Sequence, residues 1–344
     1  MTQISYIDHE ITQSIDEAIS TEKLMEYDEF SIPFLKDYLS SSGSILVSTS
    51  GSTGNPKWIE IEKTKMEVSA KATIEFFNLK QADCLLLCLP SKFIAGKMMW
   101  VRAITGKMNL VVVKPTSNPI KDLKTKVKFA AMTPHQVSVA LSENPAKFDL
   151  IDTLIIGGGA VSEKLRAALQ QISTQCYATY GMTETITHVA VQKLNGKERS
   201  NYFIGIGETT FSVGNESQLI IQAPHLSDEK LVTNDIVELV TEKKFKWCGR
   251  LDFVINSGGV KLFPEQIERK LEILITRPFF IWKEQDEKLG ERVVLIIESE
   301  SNFPIDFSEK LTRLESPKKI YFIPQFILTE NGKLDRQGTF QLLP

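Results

Sequence analysis

The sequence predicts an α/β protein in two parts. A large N-terminal domain, residues 1–250, is built on a mostly parallel, helix-covered sheet with short antiparallel strands at its end, and a small α+β C-terminal domain occupies residues 251–344. Three observations predict this. Strand-length runs alternate with helix-patterned stretches through the first half. Those runs are apolar throughout rather than at every second residue, as strands covered on both faces are. After about residue 200 the helices drop out and short strands follow one another directly, which favours antiparallel pairing.

Residues 1–43 are weakly patterned, with short helical stretches expected. SILVST (44–49) reads as a buried strand. KTKMEVSAKATIEFF (63–77) has helical spacing of Met66, Ala70, Ile74 and Phe77. DCLLLCL (83–89) and NLVVV (109–113) have strand length and composition, and FIAGKMMWVRAI (93–104) between them reads as a helix. FAAMT (129–133) and IDTLIIGG (151–158) are strands, each followed by a helix. LIIQA, IVELV and FKWC, between residues 219 and 248, are short strands. FVINSGGVKL predicts a hairpin turning at Gly258 and Gly259. PEQIERKLEIL opens a helix with Pro264 in its first turn, and FSEKLTRLE reads as another helix.

Composition excludes several classes. Forty Lys and Arg against 43 Asp and Glu give a net charge of −3, so no basic field points to nucleic acid or an anionic membrane. The longest apolar runs are far shorter than a membrane span. The N-terminus MTQISYIDHE lacks the basic head and apolar stretch of a secretory signal. Cys84, Cys88, Cys176 and Cys248 form no C-x-x-C pair and have no His at ligand spacing, which predicts free thiols in a reducing cytoplasm.

The stretch STSGSTGNPK (48–57) is the most informative. It follows a strand and gathers Thr49, Ser50, Gly51, Ser52, Thr53, Gly54 and Lys57. Glycine lets the backbone approach a ligand closely, exposed N–H groups and hydroxyls cradle an anion, and the lysine adds a point charge. That chemistry suits polyphosphate, although the spacing is not that of a Walker A loop. Alone, the stretch is also compatible with a flexible Ser/Gly turn. Glu184 follows an apolar strand; a carboxylate beside a triphosphate is a hard ligand for Mg²⁺. Asp235 stands at a strand start, and Arg250 and Asp252 follow another strand. A carboxylate accepting two ribose hydroxyls beside a guanidinium would make a nucleotide clamp, but taken alone these three read sooner as surface ion pairs.

Six segments, in order, resemble the adenylate-forming superfamily of acyl-CoA and aryl-CoA synthetases, luciferases and peptide-synthetase adenylation domains. They are STSGSTGNPK, GGGAV (157–161), YGMTET (180–185), TNDIVEL (233–239), GRLDFVINSGGVKLFPEQIE (249–268) and NGKLDR (331–336). The resemblance covers residues 44–336. It implies ATP and CoA as co-substrates with Mg²⁺, and a mobile C-terminal domain. It implies adenine and ribose contacts at Gly158, Gly159, Ala160, Tyr180, Gly181, Asp235 and Arg250. Thr183 and Glu184 would serve the phosphates and metal, Lys333 would be the catalytic lysine, Asp252 the hinge, and Gly259 would lie near the thiol in the second step. Trp58 and Asn234 stand where many members have glycine.

Within the superfamily the short stretch ahead of the phosphate loop, LPSKFIAGKMMW (89–100) and YGMTETITHVA (180–190) resemble the o-succinylbenzoate–CoA ligases of bacterial menaquinone synthesis. The start of the loop at residue 48, earlier than in most members, implies a trimmed N-terminal subdomain. An aromatic dicarboxylate needs an apolar slot and a cation for the carboxylate that does not react. Phe93, Gly96, Lys97, Arg102 and His188 are the candidate substrate residues, with Lys97 ahead of Arg102 because it adjoins Gly96, whose missing side chain would admit a ring. Lys97 and Arg102 are five residues apart and do not share one helix face well.

Overall fold

The computed structural model describes residues 2–7, 9–48, 58–227, 229–307, 309–328 and 334–343. The phosphate-loop residues from Thr49 to Lys57, and Lys333, lie outside them, as does the side chain of Thr183.

A 13-stranded sheet among the described residues organises the first 250 residues. One half is parallel. Its strands, in spatial order, are Gln175–Gly181, Ile151–Ile156, Val127–Met132, Cys84–Leu87, Asn109–Val112 and Gln3–Tyr6, with His9–Ser14 antiparallel at the edge. The other half, from His188–Lys193 outward to Thr210–Val213, is antiparallel. The parallel strands are buried on both faces: Leu85, Leu86, Phe129, Ala130 and Leu154 are fully inaccessible. One apolar cluster lies on each side of the sheet. The fold class is the α/β architecture that the run pattern predicts.

Chain order fixes where a ligand can enter. From Cys84–Leu87 the chain passes through the Ile94–Gly106 helix to Asn109–Val112 on one side, then returns to Val127–Met132 on the other. Where strand order reverses, adjacent connections leave the sheet in opposite directions. They open a crevice at the carboxyl ends of the strands. Local sequence shapes its rim. Thr133 caps the Pro134–Glu143 helix in a reciprocal box with Gln136, and Pro134 supplies the first helical position. The Gln136 amide then donates to the carbonyls of Cys88 and Thr116, at 3.1 and 3.0 Å, tying neighbouring connections together.

Three regions differ from the sequence reading. Gln3–Tyr6 forms a strand of the main sheet, and Ser44–Ser48 pairs with Trp58–Glu62 in a separate two-stranded hairpin. That hairpin exposes Leu46 while burying Ile45 and Val47, so it is covered on one face only. Ser48 pairs with Trp58, so the described residues on either side of 49–57 lie on adjacent strands. The FSEKLTRLE stretch makes isolated turns rather than a helix. Pro304 and Pro317 confine it to a length at which an isolated helix is marginal.

Beyond Leu251 the chain forms a second, 5-stranded sheet with its own apolar clusters. Its hairpin Ile255–Ser257/Val260–Leu262 turns at Gly258 and Gly259 with φ of 58° and 79°, the positive pair a two-residue turn requires. The Pro264–Leu271 helix packs against the Lys244–Arg250 strand. Glu265 accepts the Arg250 amide at 3.2 Å, and Glu272 accepts the Glu163 amide at 2.7 Å, joining the two parts.

Candidate active site

A cavity of about 480 Å³ opens at the carboxyl ends of the parallel strands. Leu89, Pro90, Phe93, Ile94 and Ala95 line it from one connection, Met132 and Thr133 from the next, and Gly157, Gly158 and Thr179 from the third strand end and its neighbour. Gly181, Met182, Ile186, Thr187 and His188 close the far side. The walls are mainly apolar, and among the described residues one full charge enters them: Arg102.

Arg102 is 1% exposed. Its Nη2 donates to the Thr187 hydroxyl at 3.5 Å and its Nη1 meets the Met99 sulfur at 3.6 Å, while Nε has no partner among the described residues. No carboxylate among the described residues pairs with it, and burial lowers its pKa to about 10. A buried charge without a counter-ion is costly, and a ligand carboxylate would relieve it. His188 stands beside it, 9% exposed, with its pKa pushed well below 6.5 by burial and secondarily by the Arg102 charge.

Lys97, the cation favoured by sequence, does not line the cavity. Its ammonium donates to the Ser91 carbonyl at 2.6 Å and sits 5.1 Å from the centre of the Phe34 ring. Ser91 in turn donates its amide to buried Asp28 at 2.7 Å, and the Trp100 indole donates to the hydroxyls of Ser31 and Ser91. Lys97 thus braces the turn ahead of the helix. Gly96 also has a different use from the one expected. A Cβ there would lie 2.3 Å from the Pro90 carbonyl oxygen, so the missing side chain lets the helix meet the turn and opens no room for a ring. Phe93 remains on the cavity rim, 42% exposed.

The nucleotide-side candidates gather around Asp235. Strand pairing sets Asp235 opposite Arg250. The Asp235 carboxylate accepts from the Tyr180 hydroxyl at 2.6 Å and from the Trp247 indole at 3.1 Å, one donor to each oxygen. Each oxygen retains a further lone pair, so the group is held in place with room for two more donors, the number a ribose diol offers. Burial, then the Asp235 charge, push the Tyr180 pKa upward, keeping the phenol protonated as a donor. Trp247 was not singled out from sequence; its signal was an indole two residues from the glycine of the GR block. Gly181 is required by close approach, since a Cβ would lie 2.4 Å from the Thr187 carbonyl oxygen. Gly158 has a φ of 80°, and Gly159 and Ala160 continue an exposed turn beside it.

Asp252 accepts from Arg250 at 3.3 Å and from the Asn234 amide at both oxygens, 3.2 and 3.0 Å. The departure from glycine at Asn234 therefore has a structural use: it ties the Leu231–Thr241 strand to Asp252. Glu184 is exposed in the turn Thr183–Thr185. No cluster of three His, Cys, Asp or Glu that could hold a metal occurs among the described residues. A lone carboxylate fits Mg²⁺, which keeps most of its shell as water and substrate phosphate, and does not fit a metal caged by protein alone. The four cysteines are free, and among the described residues no helix is long and apolar enough to cross a membrane.

A family model described as AMP-binding enzyme matches residues 40–215. The chain belongs to the AMP-binding enzyme family. A crystal structure of an acyl-CoA synthetase (AMP-forming)/AMP-acid ligase II-like protein from Dyadobacter fermentans is 33% identical to this AMP-binding enzyme, with a TM-score of 0.63, covering 91% of this chain and 93% of that one. The 2-succinylbenzoate–CoA ligase of Bacillus cytotoxicus is 23% identical over 91% of this chain and 73% of its own. The Escherichia coli ligase of the same name is 25% identical, covering 84% and 67% respectively. The fold is shared with an o-succinylbenzoate coenzyme A synthetase from Bacillus subtilis in complex with ATP and magnesium ion, with a TM-score of 0.67 at 18% identity, covering 86% of this chain and 69% of that one.

Proposed function

We propose that this AMP-binding enzyme is an ATP-dependent carboxylic acid–CoA ligase acting on an aromatic dicarboxylate, o-succinylbenzoate, as in menaquinone synthesis. One observation carries the substrate reading: a fully buried guanidinium with no acidic partner among the described residues, in an otherwise mainly apolar cavity. A monocarboxylic substrate would spend its only carboxylate on the reaction and leave Arg102 unpaired. A dicarboxylate supplies both groups. The aromatic part would lie along Phe93, Ile94 and Met132, with Thr187 and His188 beside the far carboxylate.

In this reading one substrate carboxylate oxygen attacks the α-phosphorus of ATP, and pyrophosphate leaves. The thiol of CoA then attacks the acyl carbon of the mixed anhydride, and AMP leaves. The backbone amides and hydroxyls of Thr49–Lys57 cradle the phosphates. Glu184 would hold Mg²⁺, which would neutralise phosphate charge. Asp235, fixed by Tyr180 and Trp247, accepts the ribose hydroxyls, and Arg250 steadies it. Gly158, Gly159, Ala160 and Gly181 flank the base. Lys333 stabilises charge building on the carboxylate and α-phosphate oxygens. The parts divide at residues 250 and 251, and rotation about Asp252 exchanges Lys333 for Gly259 between the two steps.

Pyrophosphate release across a panel of carboxylic acids, with and without CoA, tests the proposal. The expected result is turnover with o-succinylbenzoate at least tenfold above benzoate and fatty acids, with thioester formed only when CoA is present. Equal use of benzoate or a fatty acid would overturn the substrate and leave a ligase of another acid. Adenylate formation without thioester would point to an enzyme that loads another thiol.

A further inference from the structure

Resting on the reading of Arg102 as the partner of the far carboxylate, we infer that His188 is a positioning residue. It fixes the proton direction of a buried line of hydrogen bonds that aims Arg102 into the cavity. The line runs from the Arg102 Nη2 to the Thr187 hydroxyl (3.5 Å), on to His188 Nδ1 (3.2 Å), then from Nε2 to the Thr73 hydroxyl (3.4 Å) and from there to the Ser69 carbonyl (3.2 Å).

Its direction follows from counting protons. A threonine hydroxyl has one proton to donate. Thr73 directs its proton to the Ser69 carbonyl, so it faces His188 as an acceptor, and Nε2 carries the imidazole proton. Nδ1 is then bare and accepts from Thr187. With its own proton committed to His188, Thr187 presents lone pairs to Arg102, a group that can only donate. Every donor on the line meets an acceptor. Thr187, being part of the anchor, holds one edge of the guanidinium and leaves the unpartnered Nε to a ligand. Reversing the histidine tautomer would free the Thr187 proton to point at the ligand instead, which distinguishes the two arrangements.

His188 is suited to this because it offers an acceptor and a donor on opposite sides of a rigid ring and stays uncharged. The charged group facing it from the Ile94–Gly106 helix is Arg102; Thr73 faces it from the Lys63–Phe76 helix, and Thr187 from its own strand start. A second cation there would oppose Arg102 in a buried space.

Two experiments test the line. In the whole enzyme, ¹⁵N NMR of His188, assigned with a His188→Gln variant, should show at pH 7 a neutral ring protonated at Nε2. A ring protonated at Nδ1, or an imidazolium, would overturn the inference. In kinetics, Thr187→Val and His188→Phe should each raise KM for o-succinylbenzoate about tenfold. Both should leave kcat and KM for ATP near wild type, and His188→Gln should recover much of the loss. Because the residues act in series, the double variant should be no worse than the worse single one. Equal KM rises for ATP, or additive losses in the double variant, would mean a general packing role and overturn the line. If wild type showed no preference for dicarboxylates, the substrate reading would fail, whereas the NMR result would still decide the tautomer.

Discussion

The two faces of the Ile94–Gly106 helix carry one cation each, and they have opposite uses. Lys97 looks toward the Asp28–Ser31–Ser91 network, where carboxylate, hydroxyls, carbonyl and ring absorb its charge. Arg102, five residues on and about 140° around the helix, looks toward an apolar cavity, where its partners are the Thr187 hydroxyl and the sulfur of Met99 from its own helix. Burial depresses both, but near Lys97 the charges of Asp28 and Asp37 oppose the effect, and near Arg102 no acid among the described residues does. A cation surrounded by its own protein's acceptors is a structural brace. A cation left short of them is a site.

The strongest way to break this comparison is to remove each charge while keeping a similar shape. Arg102→Met should raise KM for o-succinylbenzoate about a hundredfold, the upper range for losing a charge-assisted contact. It should leave thermal stability unchanged or higher, because an unpaired buried charge is replaced by an apolar chain. A variant with normal dicarboxylate kinetics would move the far carboxylate elsewhere. Lys97→Met should do the reverse: a loss of about 1–2 kcal/mol in denaturant unfolding, with KM for the acid within about twofold of wild type. If Lys97→Met instead behaved like Arg102→Met, the assignment of the two faces would be wrong.

A smaller effect sharpens the same contrast through pH. His188 is held neutral beside Arg102, with its folded pKa well below the unfolded value of 6.5. Below pH 6.5 the unfolded chain therefore binds a proton that the folded chain refuses, and stability falls as pH falls. Between pH 6.5 and about 5.5 the loss from this one group approaches 1 kcal/mol. His225, whose pKa is also lowered by burial, contributes in the same direction, so the measurement is the difference between wild type and His188→Gln. A pH dependence identical in the two would show that His188 titrates alike folded and unfolded.

Much of the architecture was legible because continuous apolar runs such as Leu85–Leu86–Leu87 have few homes other than a covered parallel sheet. Gly258–Gly259 declared its hairpin for an equally local reason. Gln3–Tyr6 was not legible: alternating polar residues in four positions make no run, and its pairing depends on Leu110–Val112, far away in sequence. The choice between Lys97 and Arg102 was hidden for a related reason. Met98, Met99, Trp100 and Val101 are all buried, so the helix has no polar face to reveal its phase. The phase is set by Gly96 meeting Pro90 and by Trp100 finding two serine hydroxyls, both long-range facts. Asp235 was legible as a block, but the Trp247 indole that steadies it was visible only once two strands were paired. The roles proposed for Lys333 and for Thr49–Lys57 come from the resemblance of their segments, since both lie outside the described residues.

The uncompensated guanidinium also bears on how long an empty molecule survives. A protein that leaves a buried charge for its ligand to neutralise is incompletely folded in an energetic sense until that ligand arrives. Ligand at about a hundred times its dissociation constant would add roughly 2.7 kcal/mol to the stability of the native state. Molecules deprived of the acid would open more often and be cleared sooner by proteases than occupied ones. The abundance of the enzyme would then follow the supply of its own substrate, with Arg102 linking the two.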